Sequence, residues 1–252
     1  MPYGFALHTT STTLGLATID CPDAGDRLEV RSMPEPRVRT EELGREMLAY
    51  LHVRALEFVA PQCWQDCAFI AVAKGPGSFT STRIGVTAAR TFGQQLQIPV
   101  FGISTLEAAA FADVSADVWH EGAIAAPNGK PEDRAGSAQA SKPRAVSLAA
   151  ARGEVFAGVY QFDGIDGGEA SCLREDVAMS PEARSALLEE FGAKPGAEFD
   201  SESGAAKALE FTVEGVGDAT AALVRLAYGR WQRGDRPHWS QAVPFYGQHP
   251  VR

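Results

Sequence analysis

GPGSFTSTRIG, residues 75–85, gathers three glycines, a proline, four hydroxyls and Arg83 directly after the apolar run CAFIAVAK. A glycine-rich turn between a strand and a helix leaves backbone N–H groups free to face an anion, so phosphate binding is the first chemistry to test. The P-loop pattern GxxxxGK[ST] is not met, because Lys74 precedes the first glycine. The dinucleotide pattern GxGxxG is not met either, because position 80 is Thr. The amides of Gly77 to Thr80 remain suited to an anion, and Ser78 or Thr80 is equally suited to capping the helix that follows.

The other reactive side chains are scattered. His8, His52, His120, His238 and His249 are far apart, and no two lie one helical turn from each other. Cys21, Cys63, Cys67 and Cys172 offer one close pair, C-x3-C, with no second pair to complete a zinc site. Cys63 and Cys67 therefore read as small buried hydrophobes in a reduced protein. His8 has no acid placed beside it by sequence, and reads as a structural strand-end residue rather than a base. No metal, cofactor or catalytic set is expected.

The elements that carry these residues follow from periodicity. The runs FAL and LGLATI flank the hydroxyl-rich TTSTT and predict a hairpin with a polar tip over residues 4–20. Thr40 precedes a segment in which Leu43, Met47, Leu51, Arg54 and Phe58 recur at helical spacing, with Glu41 and Glu42 in the first turn, which predicts a helix over 41–58. CAFIAVAK predicts a buried strand, VTAARTFGQQLQI a helix over about 82–96 and PVFGIS the next strand, a strand–loop–helix–strand unit. AVSLAAARGEVFAGVYQF predicts a second hairpin, FTVEGVGD a strand, residues 218–233 a helix and PFYGQHPVR an extended tail. Residues 127–143 and 193–210, rich in Pro, Gly, Ala, Ser and charge, are expected to be a flexible insertion and a linker.

The 252 residues are 45% hydrophobic and 22% charged, an ordinary globular composition. With 23 Lys and Arg against 32 Asp and Glu, the net charge of −9 argues against a broad phosphate-neutralising surface. No stretch of eighteen apolar residues and no secretory leader are present, so the expectation is a soluble, cytoplasmic protein with no membrane partner.

Within the helix predicted after the turn, Gly85, Ala89 and Gly93 are spaced by four and Ala88 lies beside them. Each glycine inside a helix costs about 1 kcal/mol relative to alanine, a cost that close packing against another backbone offsets. Arg83 suits a partner carboxylate or an acid of its own lobe equally.

Residues 75–110, GPGSFTSTRIGVTAARTFGQQLQIPVFGISTLEAAA, resemble the signature of the TsaB (YeaZ) family, close to GPGSFTGLRIG followed by a small-residue helix and IP.VGVSSLEALA. TTSTTLGLATI resembles the family's DTST hairpin, AARGEVFAGVY its DARRGEVY segment, VEGVGDAT its GDGA-like turn and PFYGQHP its P.YLR.P tail. His8 stands where the family has Asp, Ser81 and Thr82 where it prefers Gly and Leu, and Gln248 and His249 replace a basic pair.

The resemblance implies an α/β protein with the actin-like, Hsp70-like ATPase (ASKHA) fold, two lobes with mixed sheets flanked by helices. The lobes are expected at 1–104 and 105–252, with the 218–233 helix able to pack back on the first. It implies an accessory, non-catalytic subunit in the synthesis of N6-threonylcarbamoyladenosine on tRNA. The implied partners are a TsaD-like catalytic subunit, a TsaE-like ATPase and, in TsaD's absence, a second copy of the chain, with tRNA met only indirectly. The partner-binding residues expected are Thr80, Arg83, Gly85, Ala88, Ala89, Phe92 and Gly93, aided by Met47 and Leu51. The competing reading is an autonomous ATP-dependent phosphotransferase of the same fold, suggested by the hydroxyl-rich tip and the GVGD turn at Asp218.

Overall fold

The structure is a computed structural model that describes residues 2–11, 14–21, 30–35, 53–59, 63–120, 142–163, 170–193, 205–211 and 219–247. The first sheet holds β1 (Tyr3–His8), β2 (Leu14–Asp20), β3 (Val30–Glu35), β4 (Cys67–Ala73) and β5 (Val100–Ile103) in the order β3-β2-β1-β4-β5. β1 pairs antiparallel with β2, and β2 with β3, while β1–β4 and β4–β5 are parallel. The second sheet holds β6 (Arg144–Ala149), β7 (Val155–Phe162), β8 (Ala170–Met179) and β9 (Lys207–Phe211) in the order β8-β7-β6-β9. Its only parallel pair among the described residues is β6–β9.

Five helices are described: α1 over residues 53–59, α2 (Phe79–Leu96), α3 (Thr105–His120), α4 (Pro181–Glu190) and α5 (Thr220–Gln232). Side-chain alternation along the strands sorts them into layers. Tyr3, Phe5 and Leu7 of β1 and Ile70 and Val72 of β4 point to one face, where they pack with α1 and α2. Ala6, Phe69, Ala71 and Ala73 point to the other face and meet α3 and α5. The same inner helices bury Val146, Leu148, Tyr160 and Phe162 of the second sheet, whose far face is closed by Leu187 and Leu188 of α4. The order is helix, sheet, helix, sheet, helix, and both sheets are mixed.

Both predicted hairpins are present as β1–β2 and β6–β7, and the strand–loop–helix–strand unit as β4, α2 and β5. α2 begins at Phe79, earlier than the periodicity indicated, and α5 runs 220–232. Of the helix expected over 41–58, residues 53–58 are helical, whereas Met47 and Leu51 lie outside the described residues. So do 127–141 of the expected insertion.

The stretch 193–210, expected as a linker, ends in β9, which runs on to Phe211, the first residue of the expected strand FTVEGVGD; residues 212–218, Asp218 included, lie outside the described residues. Two elements were not anticipated. β8 is a largely exposed edge strand, so its residues show no apolar alternation. α4 is short but carried a readable start: Ser180 Oγ accepts from Ala183 N at 3.3 Å, and Pro181 follows it in the first turn.

One buried ion cluster fastens the inner layer to the second sheet. Arg144 of β6 is fully buried, and its Nε donates to Asp113 Oδ2 of α3 at 2.9 Å, while Lys207 Nζ of β9 donates to Asp113 Oδ1 at 2.7 Å. Removing one member of a buried pair leaves the other desolvated without its counter-charge. Asp113→Ala is expected to lower the free energy of unfolding by about 3 kcal/mol in denaturant titrations. Lys207→Ala, which removes a partly exposed ammonium, is expected to cost clearly less.

Candidate functional site

The glycine-rich turn is already filled by the chain itself. Gly75 and Gly77 take φ values of 104° and 155°, and the Gly75–Pro76 peptide is cis. The tip of the β1–β2 hairpin seats in this bend: Ser78 N donates to Thr10 O at 2.7 Å, and a Cβ built on Gly77 would lie 2.3 Å from that same oxygen. Thr9 Oγ1 donates to Ser81 O at 2.9 Å, and Thr105 Oγ1 to Thr10 Oγ1 at 3.0 Å. Thr9, Thr10 and Ser11 are all buried. A backbone carbonyl thus accepts the hydrogen bond that an anion would take, and the hydroxyls are spent on internal contacts.

Ser78 stands at the N-cap of α2, but its hydroxyl donates to Ser81 Oγ at 3.2 Å and makes no side-chain cap. His8, behind the tip, is fully buried; its Nε2 is 3.5 Å from Thr10 Oγ1, and its Nδ1 has no partner among the described residues. Burial holds its pKa down at about 4, so the imidazole is neutral at ordinary pH.

α2 has two unlike faces, and they divide the expected docking residues. Ala88, Ala89 and Phe92 are buried in the chain's own outer layer, together with Gly85 and Gly93. A Cβ on Gly85 would sit 2.0 Å from Thr9 Oγ1, and one on Gly93 2.2 Å from Val100 Cγ2. The close approach at Gly85 and Gly93 is therefore made within the chain, and all five residues are buried in it. Thr80 and Arg83 are exposed, along with Thr87, Thr91, Gln94 and Gln95 on the same side.

A strap from the C-terminal part of the chain lies along that side of α2. After α5 the chain forms a single 3-10 turn (Trp239–Gln241), held by Val100 N to Pro237 O at 3.3 Å, and then reaches Phe245, whose N donates to Lys74 O at 2.7 Å. This brings Trp239 beside Arg90 and Gly93, and Tyr246 beside Phe79, with ring centroids 5.5 Å apart. Phe79, Val243 and Tyr246 are 61%, 54% and 52% exposed. The sequence reading missed Trp239, Val243 and Tyr246 as site residues; the only signal was a cluster of exposed-type aromatics in a tail with no period of its own. A groove of about 270 Å³ opens behind Phe79 and Tyr246, against Ala149 to Ala151 and Phe156 of the second hairpin.

A second polar cluster joins the inner helices to β7 and β8. Asp176 accepts hydrogen bonds from Ser104 and from the Tyr160 hydroxyl, and Glu107 pairs with Arg230. Burial raises both carboxyls, partly offset at Asp176 by those two hydrogen bonds and at Glu107 by Arg230 and Lys74. Every carboxylate here faces a donor of the same chain, so the cluster serves to hold the elements in register. Among the described residues no three His, Cys, Asp or Glu side chains form a metal-binding group, and no helix is long and apolar enough to cross a membrane.

Residues 58–120 match the family model of TsaD, tRNA N6-adenosine threonylcarbamoyltransferase. Over 98 residues, 39% of this chain, the sequence is 36% identical to the tRNA threonylcarbamoyladenosine biosynthesis protein TsaB of Bacillus subtilis, and the match spans 32% of that protein's length. Over 42 residues, 17% of this chain and 20% of the relative, it is 48% identical to the TsaB of Buchnera aphidicola. YeaZ from Pseudomonas aeruginosa has the same fold, with a TM-score of 0.59 at 20% identity over 98% of this chain and 100% of that one.

Two outcomes follow from the packed tip. Gly85→Leu is expected to destabilise the isolated chain by about 1–3 kcal/mol, because the added side chain displaces Thr9 from Ser81; an unchanged thermal midpoint would show that this face is open. His8 is held neutral, so its contribution is complete above the ordinary value near 6.5 and is lost as pH falls through about 4. Over that interval the chain is expected to lose about 3 kcal/mol more than a His8→Gln variant, measured by denaturant unfolding at a series of pH values.

Proposed function

We propose that this chain, TsaB/YeaZ-like in its signature segment and in its fold, is an accessory subunit in the synthesis of N6-threonylcarbamoyladenosine on tRNA. It binds a TsaD-like catalytic subunit and supports its transfer of the threonylcarbamoyl group to the adenosine next to the anticodon. The observation that carries this reading is the filled glycine-rich turn. In a fold that elsewhere cradles phosphate, Thr10 O and Thr9 Oγ1 occupy the concave side of Gly77 and Gly85. His8 brings a neutral imidazole where a carboxylate would hold magnesium. The packing favours a scaffold over an autonomous phosphotransferase.

Docking is assigned to the exposed side of α2, with Thr80 and Arg83, and to α1 beside it, where Val53 and Leu56 are 50% and 41% exposed. The buried Gly85, Ala88, Ala89, Phe92 and Gly93 act by setting how closely α2 lies on its sheet. A second copy of the chain occupies the same face when the catalytic subunit is absent, a TsaE-like ATPase joins the assembled pair, and the work is cytoplasmic. Holding the catalytic subunit in its active arrangement is a coupling free energy between the two chains.

The test is co-purification with the cognate TsaD, followed by a threonylcarbamoyl-transfer assay on tRNA with and without this chain. Modification that depends on the chain is expected. Absence of both complex and stimulation, with ATP turnover by the chain alone, would overturn the reading in favour of the phosphotransferase.

A further inference from the structure

We infer that the ridge formed by α2 and the C-terminal strap docks an acidic protein surface, and that Arg83 and Arg90 are the residues that read its carboxylates. The inference rests on the accessory-subunit reading above and adds the chemistry of the partner's face. α2 carries two arginines and no acidic residue, in a chain whose net charge is −9. Arg83 and Arg90 are seven residues apart, which places them on one side of the helix about 10 Å from each other along its axis.

Neither guanidinium has an ion pair or hydrogen bond among the described residues. The contrast with other arginines is sharp, for Arg54, Arg144, Arg174, Arg184 and Arg230 each face a carboxylate of the chain. Arg83 and Arg90 are held by rings instead. The Arg83 Cζ lies 5.3 Å from the centre of the Phe79 ring and 6.0 Å from that of Tyr246, and the Arg90 Cζ lies 5.8 Å from the Trp239 ring.

A guanidinium held over a ring face by its charge spends no N–H group on that contact, and the free N–H groups can bind a carboxylate with two parallel hydrogen bonds. The rings also restrict the side chain before any partner arrives, so less conformational entropy is lost on binding. Exposed Phe79, Val243 and Tyr246 lie on the same ridge, so arginines and aromatics combine in the manner of energetically dominant interface residues. A polyanion such as RNA fits less well. It would meet the whole negative surface of the chain, whereas two arginines spaced by two helical turns suit discrete carboxylates.

The experiment measures binding of the full chain to its cognate TsaD by calorimetry at low and high salt, for the wild type, Arg83→Glu, Arg90→Glu, the double variant and Arg83→Lys. Expected are an affinity that weakens as salt rises, a loss of about tenfold or more for each reversal, and incomplete recovery by Arg83→Lys, which keeps the charge but not the fork. Arg83 is exposed and Arg90 partly so, and unchanged thermal midpoints confirm that the variants are folded.

A tight complex indifferent to salt and to both reversals would overturn the acidic-face inference while leaving the accessory-subunit reading standing. No complex with the wild-type chain at any salt would overturn the accessory-subunit reading, and this inference with it. Reversals that spare the TsaD complex but abolish tRNA binding by the assembled pair would show that the ridge meets RNA, and would likewise overturn the inference.

Discussion

The seating of the β1–β2 tip in the glycine-rich bend is the constraint on which the outer half of this molecule depends. Ser78 N to Thr10 O fixes the first turn of α2, and Thr9 against Gly85 fixes its distance from the sheet. Thr105, at the start of α3, is tied to the same tip through Thr10 and to the bend through its own N–H, which donates to Gly75 O. One short polar loop therefore sets the positions of an outer helix and an inner one. Neither helix has freedom to admit a ligand between them without breaking hydrogen bonds that are fully buried and costly to leave unmade.

That arrangement explains which parts of the molecule were legible in the sequence. Strands β1, β2, β4, β6 and β7 announce themselves because both of their faces are buried, giving apolar runs bounded by turns. β8 did not, because an edge strand with one sheet neighbour and much exposed surface can carry Arg174, Glu175 and Asp176 in succession. The spacing of Gly85, Ala89 and Gly93 marks a close-packing stripe, and at Gly85 and Gly93 the neighbours are Thr9 and Val100 of the same chain. Spacing reveals that a backbone comes near, and cannot reveal whether that backbone belongs to the same chain. Thr9, more than seventy residues away, supplied the answer.

The exposed ridge was only half visible for a related reason. Arg83 and its ring partner Phe79 stand one turn apart within the motif, but the second ring, Tyr246, is separated from both by most of the chain. No periodicity links a helix to a strap that has none. What the sequence does record is a polar, acid-free helix exterior, Thr80, Arg83, Thr87, Arg90, Thr91 and Gln94, in an otherwise acidic protein. Local charge bias of that kind survives even where pattern reading fails.

The route of the strap has a consequence for biosynthesis. α5 lies in the inner layer, and the chain after it crosses the β5 edge, where it also shields Val100 from pairing with another strand, to reach the outer layer beside α2. During synthesis the first 120 residues leave the ribosome long before Trp239, Phe245 and Tyr246 exist. The first sheet then has its outer helix but neither the inner α5 nor the strap, and both arginines of α2 lack a ring from the strap. A nascent chain therefore cannot present the finished ridge until its translation has passed Tyr246.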